Sequence, residues 1–88
     1  MFNKFDACVR HEFNETFVIV TVDNAVIDNM ATAQEVITAL KPTFHGTPII
    51  LMSQSYNQPA TYLGRQDLVK YVRNLTIENL DFKEYYLK

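Results

Sequence analysis

The most constraining feature of this chain is an ordered series of segments between Gly46 and Leu75. Gly-Thr-Pro precedes an apolar run at 49–52, a polar loop at 53–59 and a short second run at 60–63. Gly64 and a segment with helical spacing of apolar residues then follow. Short apolar runs bounded by turn residues are typical of buried strands, and spacing by three and four is typical of a helix. We therefore predict a strand, a hairpin turn, a second strand and a helix packed against the pair.

The segment before this series predicts a second hairpin. Residues 7–13 alternate between two sides, with one side polar, which indicates a half-buried antiparallel strand. Asn14 and Glu15 break the alternation, and asparagine tolerates the left-handed backbone that tight turns require. Residues 16–22 are β-branched or aromatic throughout, which favours a central strand. A turn at 23–24 and a short returning strand at 25–27 are expected next.

Two helices are predicted. The first spans about 32–41: Thr32 and Glu35 match a capping box, although Asp28 or Asn29 could cap the helix one turn earlier. Pro42 is expected to end it, because a proline disfavours helical geometry at the residue before it. The second helix runs from about 65 to 75 and has a buried stripe of Leu68, Val69, Val72 and Leu75.

The sum is a single α+β domain over residues 1–88. We predict a two-layer sandwich of ββαββα type, with a mixed or antiparallel sheet, two helices on one face and an aromatic C-terminal tail. Residues 82–87 would add a final strand or pack across the sheet. Because two strands have apolar residues on both sides, the second sheet face must also be covered, either by this tail or by a second copy of the protein.

Thr47-Pro48 before a strand, a hairpin and a helix resembles the second half of the thioredoxin and glutaredoxin fold, over residues 46–75. In that family a cis-proline precedes the strand, and a Cys-x-x-Cys pair lies at a strand–helix junction in the first half. The single cysteine here, Cys8, lies in the first predicted strand. The departure removes the dithiol redox chemistry that the resemblance would imply. We expect a trans peptide bond before Pro48, because only about 5–6% of such bonds in folded proteins are cis.

No arrangement of reactive residues predicts an enzyme. Cys8 and His11 point to opposite sides of a strand, so His11 cannot act as a base for the thiol. Two histidines, His11 and His45, are too few for a metal centre without carboxylates, and no cofactor is expected. The chain contains serine, histidine and aspartate residues, but without a Gly-x-Ser-x-Gly turn they do not indicate a catalytic triad. Two glycines in the whole chain cannot build a phosphate-binding loop.

Charge and hydropathy argue against nucleic-acid-binding, membrane and secreted proteins. The net charge of −2 argues against a dedicated nucleic-acid protein, which leaves binding through Arg65, Lys70 and Arg73 of the second helix as the weakest alternative. No apolar stretch approaches the roughly 20 residues that span a bilayer, and the first residues lack a signal-peptide core. With a single cysteine as well, we expect a cytoplasmic protein that does not interact with membranes.

The sequence favours a small non-enzymatic interaction or regulatory protein, with a protein partner or a homodimer. Tyrosine among small polar residues is typical of recognition loops, and an aromatic tail offers contact area, although both groups can instead pack on their own fold. The alternative is a small-molecule or nucleotide-binding regulatory domain, with Ser53, Tyr62 and Arg65 around a pocket beside the 53–59 loop. The candidate contact residues are Tyr56, Asn57, Gln58, Tyr62, Arg65, Phe82, Tyr85 and Tyr86.

Overall fold

The computed structural model describes residues 4–12, 14–54, 59–75 and 80–86. Their elements are β1 (Lys4–Glu12), β2 (Glu15–Thr21), α1 (Asn24–Ile27), α2 (Met30–Phe44), β3 (Ile49–Ser53), β4 (Thr61–Leu63), α3 (Gln66–Arg73) and β5 (Lys83–Tyr86). The strands form one sheet in the order β4-β3-β2-β1-β5. β2 and β3 are parallel and the other neighbours are antiparallel. The predicted α+β class and mixed sheet are confirmed.

The first hairpin forms where the sequence predicts it. Asn14 adopts a left-handed backbone with φ of 61°, and Glu12 pairs with Glu15 across the turn. β1 begins three residues earlier than expected, because Phe5 is also a buried residue of the sheet. Glu15 is already the first residue of β2 rather than part of the turn.

The predicted returning strand at 25–27 is wrong, since residues 24–27 form the short helix α1. A strand that paired back would occupy the place beside β2 that parallel β3 takes. Parallel neighbours require a crossover that leaves the sheet, and helices usually provide it. Val26 and Ile27 of α1 pack against the core from this crossover.

Helix α2 is capped by Asn29, one of the two alternatives to Thr32, and extends past the predicted end. The Asn29 side-chain oxygen accepts a hydrogen bond from the Thr32 amide at 3.2 Å. Pro42 lies inside the last turn rather than beyond it. The helix continues to Phe44, which is buried, and His45 closes it with a left-handed φ of 54°. Burial of the Phe44 ring offsets the hydrogen bond that a proline cannot make.

The two strands and the helix of the 46–75 series form as predicted, except that Ser53 belongs to β3 and not to the loop, and residues 55–58 of the loop lie outside the described residues. β3 and β4 pair as an antiparallel hairpin, and α3 buries Leu68, Val69 and Val72. No described peptide bond is cis, so Pro48 is preceded by a trans bond as expected. Gly64 lies so close to β3 that a Cβ atom there would come within 3.1 Å of the Ile50 side chain.

The helices cover opposite faces of the sheet, which corrects the prediction of two helices on one face. Val18 and Val20 of β2 belong to one buried cluster with α2, and Phe17 and Ile19 belong to a second cluster with α3. Successive residues of a strand point to opposite faces. We call the side under α2 the first face and the side under α3 the second face. Crossovers between parallel strands are right-handed, which places α2 on the first face. The turn at Gly64 between β4 and α3 leads α3 to the second face.

The second face is covered by this chain itself. Leu80 is buried there beside α3, and Phe82 packs against the same cluster. The aromatic tail adds the edge strand β5, and Tyr85 joins the first face between Phe5 and Phe44. An uncovered apolar face therefore no longer argues for a second copy.

Candidate interaction surface

Strand β1 extends well beyond its outer neighbour. β1 has nine residues, and β5 pairs only with its first part, from Lys4 to Ala7. On the inner side β2 pairs with β1 as far as Glu12. Among the described residues, no strand pairs with the outer side of positions 8–12. We call this stretch the open edge.

Hydrogen bonding elsewhere in the sheet determines which main-chain groups face outward at the open edge. The Val18 amide donates to the Pro48 carbonyl at 2.9 Å, so Val18 directs its main-chain groups towards β3. Val9 lies opposite Val18, and in an antiparallel ladder such a residue directs its own groups away from β2. The alternation places the main-chain groups of His11 in the same direction. At the open edge, the N–H and C=O groups of Val9 and His11 therefore point away from β2.

The side chain of Val9 is also unusually accessible. It lies on the first face, opposite fully buried Val18, yet 49% of its surface is exposed. An accessible edge strand with an apolar side chain is a template for pairing with another chain, and proteins either protect such edges or use them. A hollow of about 120 Å³ lies between β1 and the 81–85 segment, lined by Cys8, Val9, Arg10, Asp81, Lys83 and Tyr85.

Charged side chains flank the open edge on the second face. Arg10 donates to the Glu12 carboxylate at 2.8 Å, and their side chains are only 26% and 30% exposed. Burial opposes the charge of Arg10, but a hydrogen bond with the Tyr71 hydroxyl and the proximity of Glu12 outweigh it and raise the pKa of the guanidinium. The pair thus places one positive and one negative group in fixed positions two residues apart.

Arg65 is exposed, and two carboxylates hold its guanidinium. Its guanidinium donates to both oxygens of Glu15, at 2.5 and 2.7 Å, and to both oxygens of Asp67 at 2.8 Å. Hydrogen bonds from Arg65 lower the pKa of Asp67 to about 2 and also lower the pKa of Glu15. These bonds join the start of β2 to the first turn of α3. A partner that used Arg65 would have to compete with two carboxylates.

The predicted aromatic contacts divide between core and surface. Tyr62 and Phe82 are half-buried against the second-face cluster, and burial raises the pKa of Tyr62. The Tyr85 ring stacks on Phe5 with centroids 5.9 Å apart. Tyr86 is 65% exposed, and its hydroxyl donates to Glu84 at 3.1 Å. Tyr56, Asn57 and Gln58 lie outside the described residues, so their role stays a prediction.

The residues proposed for a small-molecule pocket do not converge. Ser53 lies opposite Thr61 and Met52 lies opposite Tyr62, so Ser53 and Tyr62 point to different faces of the sheet. The Ser53 hydroxyl donates to the side-chain oxygen of Asn24, which ties β3 to α1. A separate open cleft of about 240 Å³ lies at the carboxyl end of β2, lined by Lys4, Phe5, Asp6, Thr21, Val22, Asp23 and Val26.

Reactive side chains are separated from one another. Cys8 is buried among the apolar residues of the second face, whereas His11 lies on the first face with its Nδ1 atom 2.6 Å from the Thr16 hydroxyl. His45 is exposed at the end of α2. Within the described ranges, no group of three or more histidine, cysteine, aspartate or glutamate side chains is placed to hold a metal ion.

Sequence reasoning did not identify Val9 and His11 as contact residues. Alternation places both on the side of β1 that the first core cluster would bury, so a sequence-based reading assigns them to the interior. Their exposure follows from the different lengths of β1 and β5. No local pattern encodes that difference, because the two strands lie at opposite ends of the chain.

No helix in the described part of the chain combines the length and apolarity that crossing a membrane requires. Comparisons with protein-family models, curated proteins and solved structures find no match to this chain.

Proposed function

We propose that this protein is a non-enzymatic interaction domain that binds an extended polypeptide segment as an added strand along the open edge of β1. The observation that carries the proposal is the outward direction of the Val9 and His11 main-chain groups beside a half-exposed Val9 side chain. Main-chain hydrogen bonds provide affinity in such complexes, and pockets for alternate side chains provide specificity. The hollow beside Val9 offers one such pocket.

Proline at position 11 tests strand addition directly. The main-chain N–H of His11 faces away from β2, so His11→Pro removes a donor at the open edge without breaking the β1–β2 ladder. Glu84→Pro is the matched control, because Glu84 lies opposite Asp6 and directs its own N–H outward from the neighbouring strand β5. Circular dichroism would establish that both variants fold.

Native mass spectrometry of protein purified gently from its host is the readout. We expect an associated polypeptide, whether a second copy or another protein, with the wild type and Glu84→Pro, and its loss from His11→Pro. Hydrogen exchange at Val9 and His11 should slow in the complex. Retention of the polypeptide by His11→Pro, or a wild-type protein free of any polypeptide at all concentrations, would refute the proposal.

A small-molecule binding domain is the second candidate, and the cleft at the carboxyl end of β2 favours it. Open sheets with parallel strands often bind ligands at this end. Its volume of about 240 Å³ lies below the roughly 300–1,000 Å³ of typical ligand pockets, so it ranks second. Chemical shifts of Val22 and Val26 during titration with nucleotides or small amines would test it. Unchanged shifts at millimolar ligand would remove this candidate.

A further inference from the structure

We infer that the strand added to β1 comes from a second copy of this chain, paired antiparallel about a two-fold axis at His11. The inference rests on the proposed function and names its partner. In this arrangement Arg10 of each copy lies opposite Glu12 of the other, and the two sheets join into one. Isologous pairing of this kind is the commonest form of homodimer.

The geometry of the open edge leaves few possible registers. Only residues that face outward can exchange main-chain hydrogen bonds, and these are Val9 and His11. Pairs made of these two residues place the axis at position 9, 10 or 11. An axis at position 9 would bring a strand alongside Ala7, where Lys83 of β5 already pairs. That register is blocked by the chain itself.

Charge selects between the remaining two registers. An axis at position 10 sets the two Arg10 side chains opposite each other. Like charges directly opposite on one face destabilise a sheet. An axis at position 11 instead pairs Arg10 with Glu12 twice. The open edge is therefore self-complementary in this one register.

The local structure prepares these charges for such pairing. Arg10 and Glu12 already lie 2.8 Å apart in one chain and are only partly exposed. Two copies would place four charges in a two-by-two block across the joined strands, with each charge beside two of the opposite sign. Partial burial reduces screening by salt. A contact through one short strand buries less surface than the roughly 1,200–2,000 Å² of stable interfaces. We therefore expect a weak dimer whose population depends on protein concentration.

Reciprocal charge reversal tests the register. In Arg10→Glu, glutamates face glutamates at both pairs, and in Glu12→Arg, arginines face arginines. In a mixture of the two variants, however, every pair combines opposite charges. Sedimentation velocity should show a wild-type dimer, a dissociation constant raised by about tenfold or more for each variant alone, and a heterodimer in the equimolar mixture.

Two further variants guard against loss of folding. Each single reversal breaks the Arg10–Glu12 contact within its own chain, whereas the double variant Arg10→Glu/Glu12→Arg restores it in reversed order. The double variant should dimerise like the wild type. Lys4→Glu is the surface control: it breaks the exposed 3.5 Å pair with Glu84 and does not touch the open edge, so dimerisation should be unchanged.

The outcomes separate this inference from the proposed function. Dimers of either single variant as tight as those of the wild type would overturn the register. A wild-type protein that is monomeric at millimolar concentration, while His11→Pro still abolishes binding of another polypeptide, would refute the second copy and leave strand addition intact. A wild-type dimer that His11→Pro leaves unchanged would refute both.

Discussion

An alanine at position 64 should destabilise the protein, because strand β3 lies directly against the Gly64 Cα. A Cβ atom there would meet the Ile50 Cγ1 atom at 3.1 Å, the Ile49 carbonyl oxygen at 3.2 Å and the Ile50 Cα atom at 3.2 Å. Favourable carbon contacts lie at about 3.5–4.0 Å. Two of these three atoms belong to the main chain of β3, which pairs with strands on both sides. The strand cannot move without disturbing the centre of the sheet.

The expected magnitude follows from two opposing effects. Overpacking of this kind typically costs about 1–3 kcal/mol. Restriction of the unfolded chain by the added methyl group returns about 0.4–1 kcal/mol. We expect Gly64→Ala to lower the free energy of unfolding by about 1–2 kcal/mol. With an unfolding entropy of about 2.1 cal/mol/K per residue, the 88-residue chain should lose roughly 5–10 °C in Tm.

Thermal unfolding followed by circular dichroism measures this change, and Gly46 supplies the control. A Cβ at Gly46 meets no atom within 4 Å, but its φ of +80° favours glycine or asparagine. Gly46→Asn should therefore be milder than Gly46→Ala. At position 64 the order reverses, since Gly64→Asn is larger than Gly64→Ala and the obstacle is steric. An unchanged or higher Tm for Gly64→Ala would refute the close approach of β3.

Two further predictions concern the helix starts. Arg65 keeps the pKa of Asp67 at about 2 and lowers that of Glu15, so its stabilising effect is complete above about pH 4–5 and is lost as the pH falls towards 2. Arg65→Gln should lower Tm at pH 6, and the difference from the wild type should shrink below about pH 4; a constant difference down to pH 2 would contradict this. Asn29→Ala removes the side-chain cap of α2 and should cost about 1 kcal/mol in urea unfolding, whereas Gln34→Ala on the exposed side of α2 should change stability by less than about 0.5 kcal/mol. Equal effects of these two substitutions would exclude a capping role for Asn29.

Local patterns were sufficient to predict most elements. The alternation before Asn14, the β-branched run of β2 and the apolar run of β3 identify strands because each reflects burial on one or two sides. The stripe of α3 is likewise a property of its own residues. The failures lie at residues whose structure depends on distant contacts. Val26 and Ile27 have the composition of a strand but form a helix, because β3 occupies the position beside β2.

The sequence predicted the candidate surface less well than it predicted the helices and strands. Composition and alternation suggested an interaction protein and placed Tyr85 and Tyr86 among its contacts, and the fold directs one of these rings inward and the other outward. The open edge could not be predicted, because it arises from the lengths of two strands separated by about seventy residues.

The sequence alone determined an α+β composition and strands apolar on both sides, because these properties follow from residue type and spacing along short segments. Only the tertiary structure decided that β2 and β3 are parallel, that the helices lie on opposite faces, and that positions 8–12 of β1 have no outer neighbour among the described residues. The physical reason is that strand pairing and layer packing depend on which distant surfaces meet and bury each other, and no local pattern specifies that choice.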